Sequence, residues 1–142
     1  MKTYFLDSNI FLRIFTGDVK TQMNECVSFL KFAEKRQDGI VTSSLVLSEI
    51  AWTLLSYYKF SREKVILAIR SILNIKGLKI IDEYQPITAM DIFEKFGIKF
   101  IDSFIASIPQ IFDKKWVIVS YDKEFDKLDV LRKEPSIQTA KK

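Results

Sequence analysis

The chain has 142 residues, a length that favours a single domain, residues 1–142, with a sizeable buried core. It contains no histidine and one cysteine, Cys26, which excludes histidine-based nucleophile systems, histidine-ligated zinc and an internal disulfide. The formal net charge is +4, and residues 127–142 carry five basic residues against two acidic ones. Such a basic end suggests a polyanionic partner, although on charge alone a solvated terminus is the favoured interpretation.

The elements predicted in the first half of the chain are short strands separated by helices. Brief apolar runs predict strands at residues 4–6 and 40–42. Apolar residues at spacings of three and four predict helices at residues 10–15, 21–36, 44–58 and 61–75. The helix at 44–58 is apolar nearly all round, which predicts that it is buried on most sides. Gly77 is expected to end the helix at 61–75, because glycine adopts a left-handed conformation at little cost.

The second half of the chain continues this alternation. Strands are predicted at residues 78–81 and 116–119, and a fifth, edge strand at 130–131. A helix is predicted from Pro86 to Phe96 with Gly97 as its stop, and another helix follows Asp102. Pro109 should kink or shorten that helix, because an interior proline costs about 3 kcal/mol. The alternation predicts an α/β fold with a parallel sheet covered on both faces.

Neither a secretory signal nor a membrane-spanning segment is predicted. The first five residues are not followed by a long apolar region, and no apolar run approaches the ~20 residues needed to cross a bilayer. We therefore expect a soluble, cytoplasmic protein.

Four acidic residues are surrounded by apolar residues in the sequence: Asp7, Glu49, Asp102 and Asp122. Asp7 and Asp122 follow predicted strands, whose carboxyl ends form the edge at which parallel sheets bind ligands. Asp102 is expected at the same edge. Glu49 lies about one and a half turns inside its helix and could point back over that edge.

Three of these four residues have a structural explanation. Asp7, Asp102 and Asp122 each precede a predicted helix, where aspartate is a favoured N-cap. Glu49 lies inside a helix and caps nothing there, and burying its charge without a partner is costly. Its partner could be a lysine or arginine in a structural ion pair, or it could be a metal cation.

Four converging carboxylates would repel one another and raise their pKa values, a conflict that a divalent metal resolves. Ligation by oxygen alone favours Mg²⁺ or Mn²⁺ over zinc. Such a metal lowers the pKa of water and clamps a phosphoryl group, so that water can attack phosphorus in line. This chemistry needs no histidine and agrees with the composition.

The carboxylates belong to four motifs, FLDSNIFL at 5–12, SEI at 48–50, IDSFIA at 101–106 and VSYDKEFD at 119–126. In their order and in the length of the chain, these motifs resemble the PIN domain, and the size and layout resemble the VapC toxins of toxin–antitoxin pairs. The resemblance covers nearly the whole chain. It implies a three-layer α/β/α sandwich with a central, mostly parallel sheet.

The resemblance also implies function. It implies Mg²⁺- or Mn²⁺-dependent cleavage of RNA, a homodimer and, for a VapC-like member, a VapB-like antitoxin that covers the active site. The family's acidic catalytic and metal-binding positions are taken by Asp7, Glu49, Asp102 and Asp122. Small polar residues that support the metal shell are expected at Ser8, Asn9 and Ser120. Asp126 resembles an additional acidic ligand of some members, with a cap or a solvated residue as an equal alternative.

Ser103-Phe104 depart from the small residues common in the third motif, and Pro109 interrupts the helix behind it; both could shift Asp102.

Other protein classes with acidic residues at strand ends fit this sequence less well. A receiver domain would need an adjacent acidic pair near the start, and a haloacid-dehalogenase-type phosphatase would need Asp-x-Asp where this chain has Asp7-Ser8-Asn9. A PIN nuclease of RNA processing without a toxin role, or a catalytically silent PIN domain that binds RNA or a partner, stays open as an alternative.

Tyr57 and Tyr58 are candidate dimer contacts, with core packing as an equal explanation.

Overall fold

The computed structural model describes residues 1–136, which form a central sheet flanked by helices. The strands are β1 (Thr3–Leu6), β2 (Gly39–Thr42), β3 (Leu78–Ile80), β4 (Val117–Val119) and β5 (Leu131–Lys133). The helices are α1 (Ser8–Thr16), α2 (Lys20–Arg36), α3 (Ser44–Ser56), α4 (Arg62–Leu73), α5 (Pro86–Phe96), α6 (Phe100–Ala106) and α7 (Pro109–Phe112), with a 3₁₀ helix at Lys123–Lys127. The predicted α/β class is confirmed.

The five strands are all parallel and lie in the order β3-β2-β1-β4-β5. The chain therefore moves outward from β1 to β3, returns to the other side of β1 with β4, and ends at β5. The order reverses between β1 and β4, and in open parallel sheets this reversal opens a ligand-binding crevice at the carboxyl ends of the strands. Leu6 pairs with Val119, so the residues after β1 and after β4 meet at this crevice.

The core lies between the sheet and the helices. Phe5, Leu6, Ile118 and Val119 of the central strands are fully buried, as expected for strands covered on both faces. The helices add large buried side chains, among them Phe11, Phe29, Ile50, Leu54, Ile72 and Ile105. Because the central strands are buried and hydrogen-bonded to each other, they set the positions of the polar residues that follow them.

The prediction that the third helix is buried on most sides is wrong. Only one stripe of α3, Val46, Ile50 and Leu54, is buried, while Trp52 is 70% and Leu55 43% exposed. The physical reason is that α3 lies in an outer layer and packs against α1 and α4, so a single copy of the chain leaves the rest of its apolar surface uncovered.

Two sequence predictions concerned helix ends. Gly77 does not end α4, because α4 stops at Leu73 and Gly77 takes its left-handed conformation (φ +83°) in the turn before β3. The prediction for Pro109 is confirmed: α6 ends at Ala106 and Pro109 is the first residue of α7. Within residues 1–136, none of the helices has both the length and the apolar composition that crossing a membrane requires.

Candidate functional site

Asp7 follows β1 directly and lies at the reversal point of the sheet. Its backbone N–H donates to Val119 O at 3.1 Å, which extends the pairing of β1 with β4 by one residue. Its side chain caps α1 by accepting from Ser8 N at 2.8 Å, and its other oxygen accepts from Ser120 Oγ at 2.7 Å. Burial, together with the charges of Glu49 and Asp122, raises the pKa of Asp7 to about 6 despite these hydrogen bonds.

Asp102 lies in the first turn of α6 and caps nothing. The sequence prediction placed this residue before the helix, which is wrong, because α6 begins at Phe100 with Lys99 as its N-cap. The side chain of Asp102 is almost fully buried, and its Oδ2 has no hydrogen-bond partner among residues 1–136. Burial first, and then the negative charge of Asp7, raise the pKa of Asp102 to about 8.

Asp122 follows β4 and is the half-buried N-cap of the 3₁₀ helix. Its Oδ1 accepts from Glu124 N at 2.9 Å, and its Oδ2 lies 2.9 Å from Lys99 Nζ. Burial alone would raise the pKa of Asp122, but the hydrogen bonds from Glu124 N and Lys99 outweigh it and hold that pKa below its ordinary value. Neighbouring aspartates at one site therefore have their pKa values shifted in opposite directions.

Glu49 lies half-buried on α3, and its negative charge contributes to the raised pKa of Asp7. No lysine or arginine of residues 1–136 lies within salt-bridge distance of it, so the structural ion pair considered for this residue is not formed. Glu49 borders an open groove of about 350 Å³ whose walls are mostly apolar and aromatic: Leu45, Ser48, Trp52, Phe100, Ile101 and Phe104.

Polar residues expected to support the site are hydrogen-bonded into it. The Ser120 hydroxyl donates to Asp7 and accepts from Asn9 Nδ2 at 2.9 Å and from the backbone N of Asp122 at 3.0 Å. Asn9 also accepts from the backbone N of Tyr121 at 3.2 Å. Ser8 contributes its backbone N–H to Asp7. This network ties the residues after β1 to those after β4.

Two further acidic residues belong to the 3₁₀ helix. Carboxylate oxygens of Asp102, Asp122 and Glu124 lie within 4.8 Å of one another. Sequence reasoning missed Glu124, and its place two residues after Asp122, within the fourth motif, was the available signal. Asp126 is not part of this group, because both of its oxygens accept from Arg132, at 2.8 and 2.9 Å.

The residues at the crevice fit a divalent cation. Asp7 and Asp102 are each about 3% exposed. The negative charges of Asp7 and Asp122 repel that of Asp102, and the negative charge of Glu49 repels that of Asp7. A buried carboxylate oxygen without a hydrogen-bond donor, as in Asp102, is a costly arrangement that a bound cation would satisfy. The oxygen ligands lie where the strand order reverses between β1 and β4. The protein is therefore of the α/β class with a candidate carboxylate centre for Mg²⁺ or Mn²⁺.

Residues 4–131 match the PIN domain, and the chain belongs to this family. Its fold is similar to that in the crystal structure of VapBC2 from Rickettsia felis bound to a DNA fragment from their promoter, with 20% identity, a TM-score of 0.65, and 93% of this chain and 98% of that chain covered. It is also similar to PAE2754 from Pyrobaculum aerophilum, with 15% identity, a TM-score of 0.64, and 98% and 92% covered. No curated protein sequence matches the chain. PIN domains are generally nucleases that depend on divalent metal ions, which agrees with the acidic cluster.

Proposed function

We propose that this PIN domain is a Mg²⁺- or Mn²⁺-dependent ribonuclease that hydrolyses RNA phosphodiester bonds, and that it is the toxin of a VapBC-type pair. The observation that carries the nuclease proposal is the buried Asp102 oxygen, which has no donor among the described residues and is surrounded by further carboxylates. Asp7, Glu49, Asp102 and Asp122 would hold the ion, and Glu124 is an additional candidate ligand. When bound, the ion would lower the pKa of water and neutralise charge on the phosphoryl group.

The chain's own residues keep the carboxylates in position. Ser120 fixes Asp7 from the end of β4, Asn9 contacts it from the first turn of α1, and the cap hydrogen bond from Glu124 N fixes Asp122. The first turn of α6 holds Asp102 in a buried position. Such fixed geometry favours catalysis because little reorganisation is needed during the reaction.

The groove beside Glu49 supports RNA as the substrate. Trp52 and Phe100 are exposed there, and exposed aromatic rings stack on the bases of unpaired nucleotides. The same rings offer an apolar surface that an antitoxin segment would cover. Single-stranded RNA is therefore the proposed substrate. An antitoxin segment that covers this groove would block access of RNA to the acidic site and so inhibit cleavage.

The experiment that tests the nuclease proposal measures cleavage of single-stranded RNA with Mg²⁺, with Mn²⁺ and with EDTA. We expect metal-dependent cleavage by the wild type and a loss of at least about 100-fold in Asp7→Asn, which removes one negative ligand at nearly constant volume. Asp126→Asn is the matched control, because its carboxylate pairs with Arg132. Equal rates for Asp7→Asn and the wild type would exclude the proposed site.

The toxin role is supported by the similarity of fold to the VapBC2 structure over 98% of that chain. Induced expression in a bacterial host should stop growth with the wild type and not with Asp7→Asn at equal protein levels. Cleavage in vitro without growth arrest would instead favour a PIN nuclease of RNA processing. RNA binding without cleavage would favour the catalytically silent alternative.

A further inference from the structure

Lys99 is a basic residue inside the acidic site to which the proposed reaction gives no role. Its Nζ lies 2.9 Å from Asp122 Oδ2 and 4.0 Å from Asp102 Oδ2. Its backbone N–H donates to Glu124 Oε1 at 3.3 Å. Lys99 therefore contacts the same three carboxylates whose oxygens lie within 4.8 Å of one another.

The charge balance of the site depends on this one residue. Among residues 1–136, Lys99 is the one lysine or arginine within 4.0 Å of any carboxylate at the site: Asp7, Glu49, Asp102, Asp122 or Glu124. The carboxylates come from four separate segments, and their mutual repulsion is strongest where they are buried. A cation beside Asp102 and Asp122 offsets part of that repulsion.

We propose that the Lys99 ammonium is a built-in counter-cation that pairs with Asp122, beside Asp102, in the metal-free enzyme and leaves Asp122 when a divalent ion binds. The inference rests on the proposed function, because it takes Asp122 as a metal ligand. An ammonium and a divalent ion at the same carboxylate oxygen would repel each other strongly. Lys99 can move away, because its side chain is 56% exposed and its four-carbon stem is flexible.

By competing with the ion, Lys99 lowers the affinity for metal. By pairing with Asp122, it also stabilises the metal-free protein. Both effects can be measured without any activity assay. Lys99→Met removes the charge and keeps the length of the side chain, and Lys99→Arg keeps the charge. Lys114→Met is the matched control, since Lys114 forms a lysine–aspartate pair with Asp129, neither of which belongs to the acidic site.

The experiment measures Mn²⁺ affinity by isothermal titration calorimetry, and Tm in EDTA and in saturating Mn²⁺. We expect Lys99→Met to bind Mn²⁺ only about tenfold more tightly than the wild type, because solvent around the exposed lysine weakens its repulsion of the ion. Its Tm should fall in EDTA and return to the wild-type value or above in Mn²⁺. Lys99→Arg and Lys114→Met should keep wild-type affinity.

Unchanged or weaker Mn²⁺ binding by Lys99→Met would overturn the inference, since a residue that merely positions Asp122 would weaken binding when lost. An equal loss of Tm in EDTA and in Mn²⁺ would overturn it as well, because that is the result of a general packing role. If the wild type bound no Mn²⁺ at all, the proposed function would fail together with the inference. If the wild type bound Mn²⁺ and only the tighter binding were missing, the inference alone would fail.

Discussion

At the scale of single residues, the site shows how environment separates chemically identical carboxyl groups. Asp102 and Asp122 have oxygens within 4.8 Å of each other, yet burial raises the pKa of the first to about 8 while hydrogen bonds lower that of the second. Asp122 has a backbone N–H and Lys99 as donors, whereas Asp102 Oδ2 has no hydrogen-bond donor within residues 1–136. A residue in the position of Asp102 is unfavourable for stability and is suited to binding a cation.

Asp102→Asn should therefore separate function from stability. We expect loss of RNA cleavage by at least about 100-fold, together with a folded protein that is more stable than the wild type in EDTA at pH 8, because a buried charge is removed. Cleavage rates and urea unfolding in EDTA measure the two effects. A variant that cleaves normally, or that is less stable than the wild type under these conditions, would contradict this account of Asp102.

The pKa of Asp102 also predicts how stability depends on pH without metal. The folded protein holds this proton up to a pKa of about 8, while the ordinary value is 3.8. The folded state thus binds more protons between these values, and the free energy of unfolding falls as pH rises, by at most about 1.4 kcal/mol per pH unit. Asp7 adds to this fall up to its pKa of about 6.

The measurement compares urea unfolding of the wild type and Asp102→Asn in EDTA from pH 5 to pH 9. The stability advantage of the variant should grow with pH and level off above pH 8. Parallel curves for the two proteins over the whole range would show that Asp102 does not titrate as its burial requires.

At the scale of elements, the segment from β4 to β5 contributes both to the site and to the fold. Ser120, Asp122 and Glu124 face the acidic site, whereas Asp126 binds Arg132 of β5. Arg132 also donates to the carbonyl of Ser120 at 2.8 Å, which joins the edge strand to the end of β4. Acidic residues two positions apart on one 3₁₀ helix therefore have different surroundings.

This difference predicts opposite results for two matched variants. Glu124→Gln should weaken Mn²⁺ binding about tenfold, since it removes one charged oxygen donor from the cluster. Asp126→Asn should leave Mn²⁺ affinity within about twofold and cost stability by roughly 0–1 kcal/mol, as is usual for an exposed ion pair. Calorimetric titration and urea unfolding give both values. A larger loss of affinity in Asp126→Asn would restore Asp126 as a ligand.

At the scale of the whole molecule, apolar surface remains uncovered on the helical layers. Ile87 and Met90 are exposed on neighbouring positions of one face of α5, and Phe93 and Phe96 are partly exposed further round the helix. Exposed apolar surface of this kind is typical of an interface. The sequence pointed instead to Tyr57 and Tyr58; Tyr57 is exposed, but Tyr58 packs against the core and its hydroxyl donates to Asp18 at 2.7 Å.

We expect a homodimer that uses the exposed apolar side chains Ile87 and Met90 of α5. Ile87→Lys should shift the protein from dimer to monomer in sedimentation experiments, because a charge would be placed in an apolar interface. Tyr57→Lys is the control and should leave the dimer intact. A wild-type monomer, or a dimer that survives Ile87→Lys and dissociates with Tyr57→Lys, would contradict this assignment.

The basic residues at the C-terminal end of the chain are expected to strengthen RNA binding. Residues 137–142, including Lys141 and Lys142, lie outside the described residues, so their contribution stays a prediction. Deleting residues 136–142 should weaken RNA binding and reduce the slope of log affinity against log salt by about 1 to 1.5, for two lysines on single-stranded RNA. Full-length protein with both lysines changed to glutamine should behave in the same way. Binding that is neither weaker nor less salt-sensitive would show a solvated tail.

From the amino-acid sequence alone one can predict the alternation of strands and helices, the positions of Asp7 and Asp122 after strands, and the four motifs of the family. These features are local, because strand and helix periodicity, caps and stops depend on neighbouring residues. Asp102 shows the limit of this reasoning: its motif was recognised, but the start of α6 was misplaced.

Which charges meet depends on the tertiary structure. Lys99 reaches Asp122, Arg132 pairs with Asp126, and Asp102 is left with a buried oxygen that has no donor among residues 1–136. The apolar residues of α3 likewise indicated burial, whereas Trp52 is exposed because α3 lies in an outer layer and no other helix of residues 1–136 covers this side chain. Such outcomes depend on which elements are adjacent in space, and the order of strands around β1 and β4 sets this for residues more than one hundred positions apart.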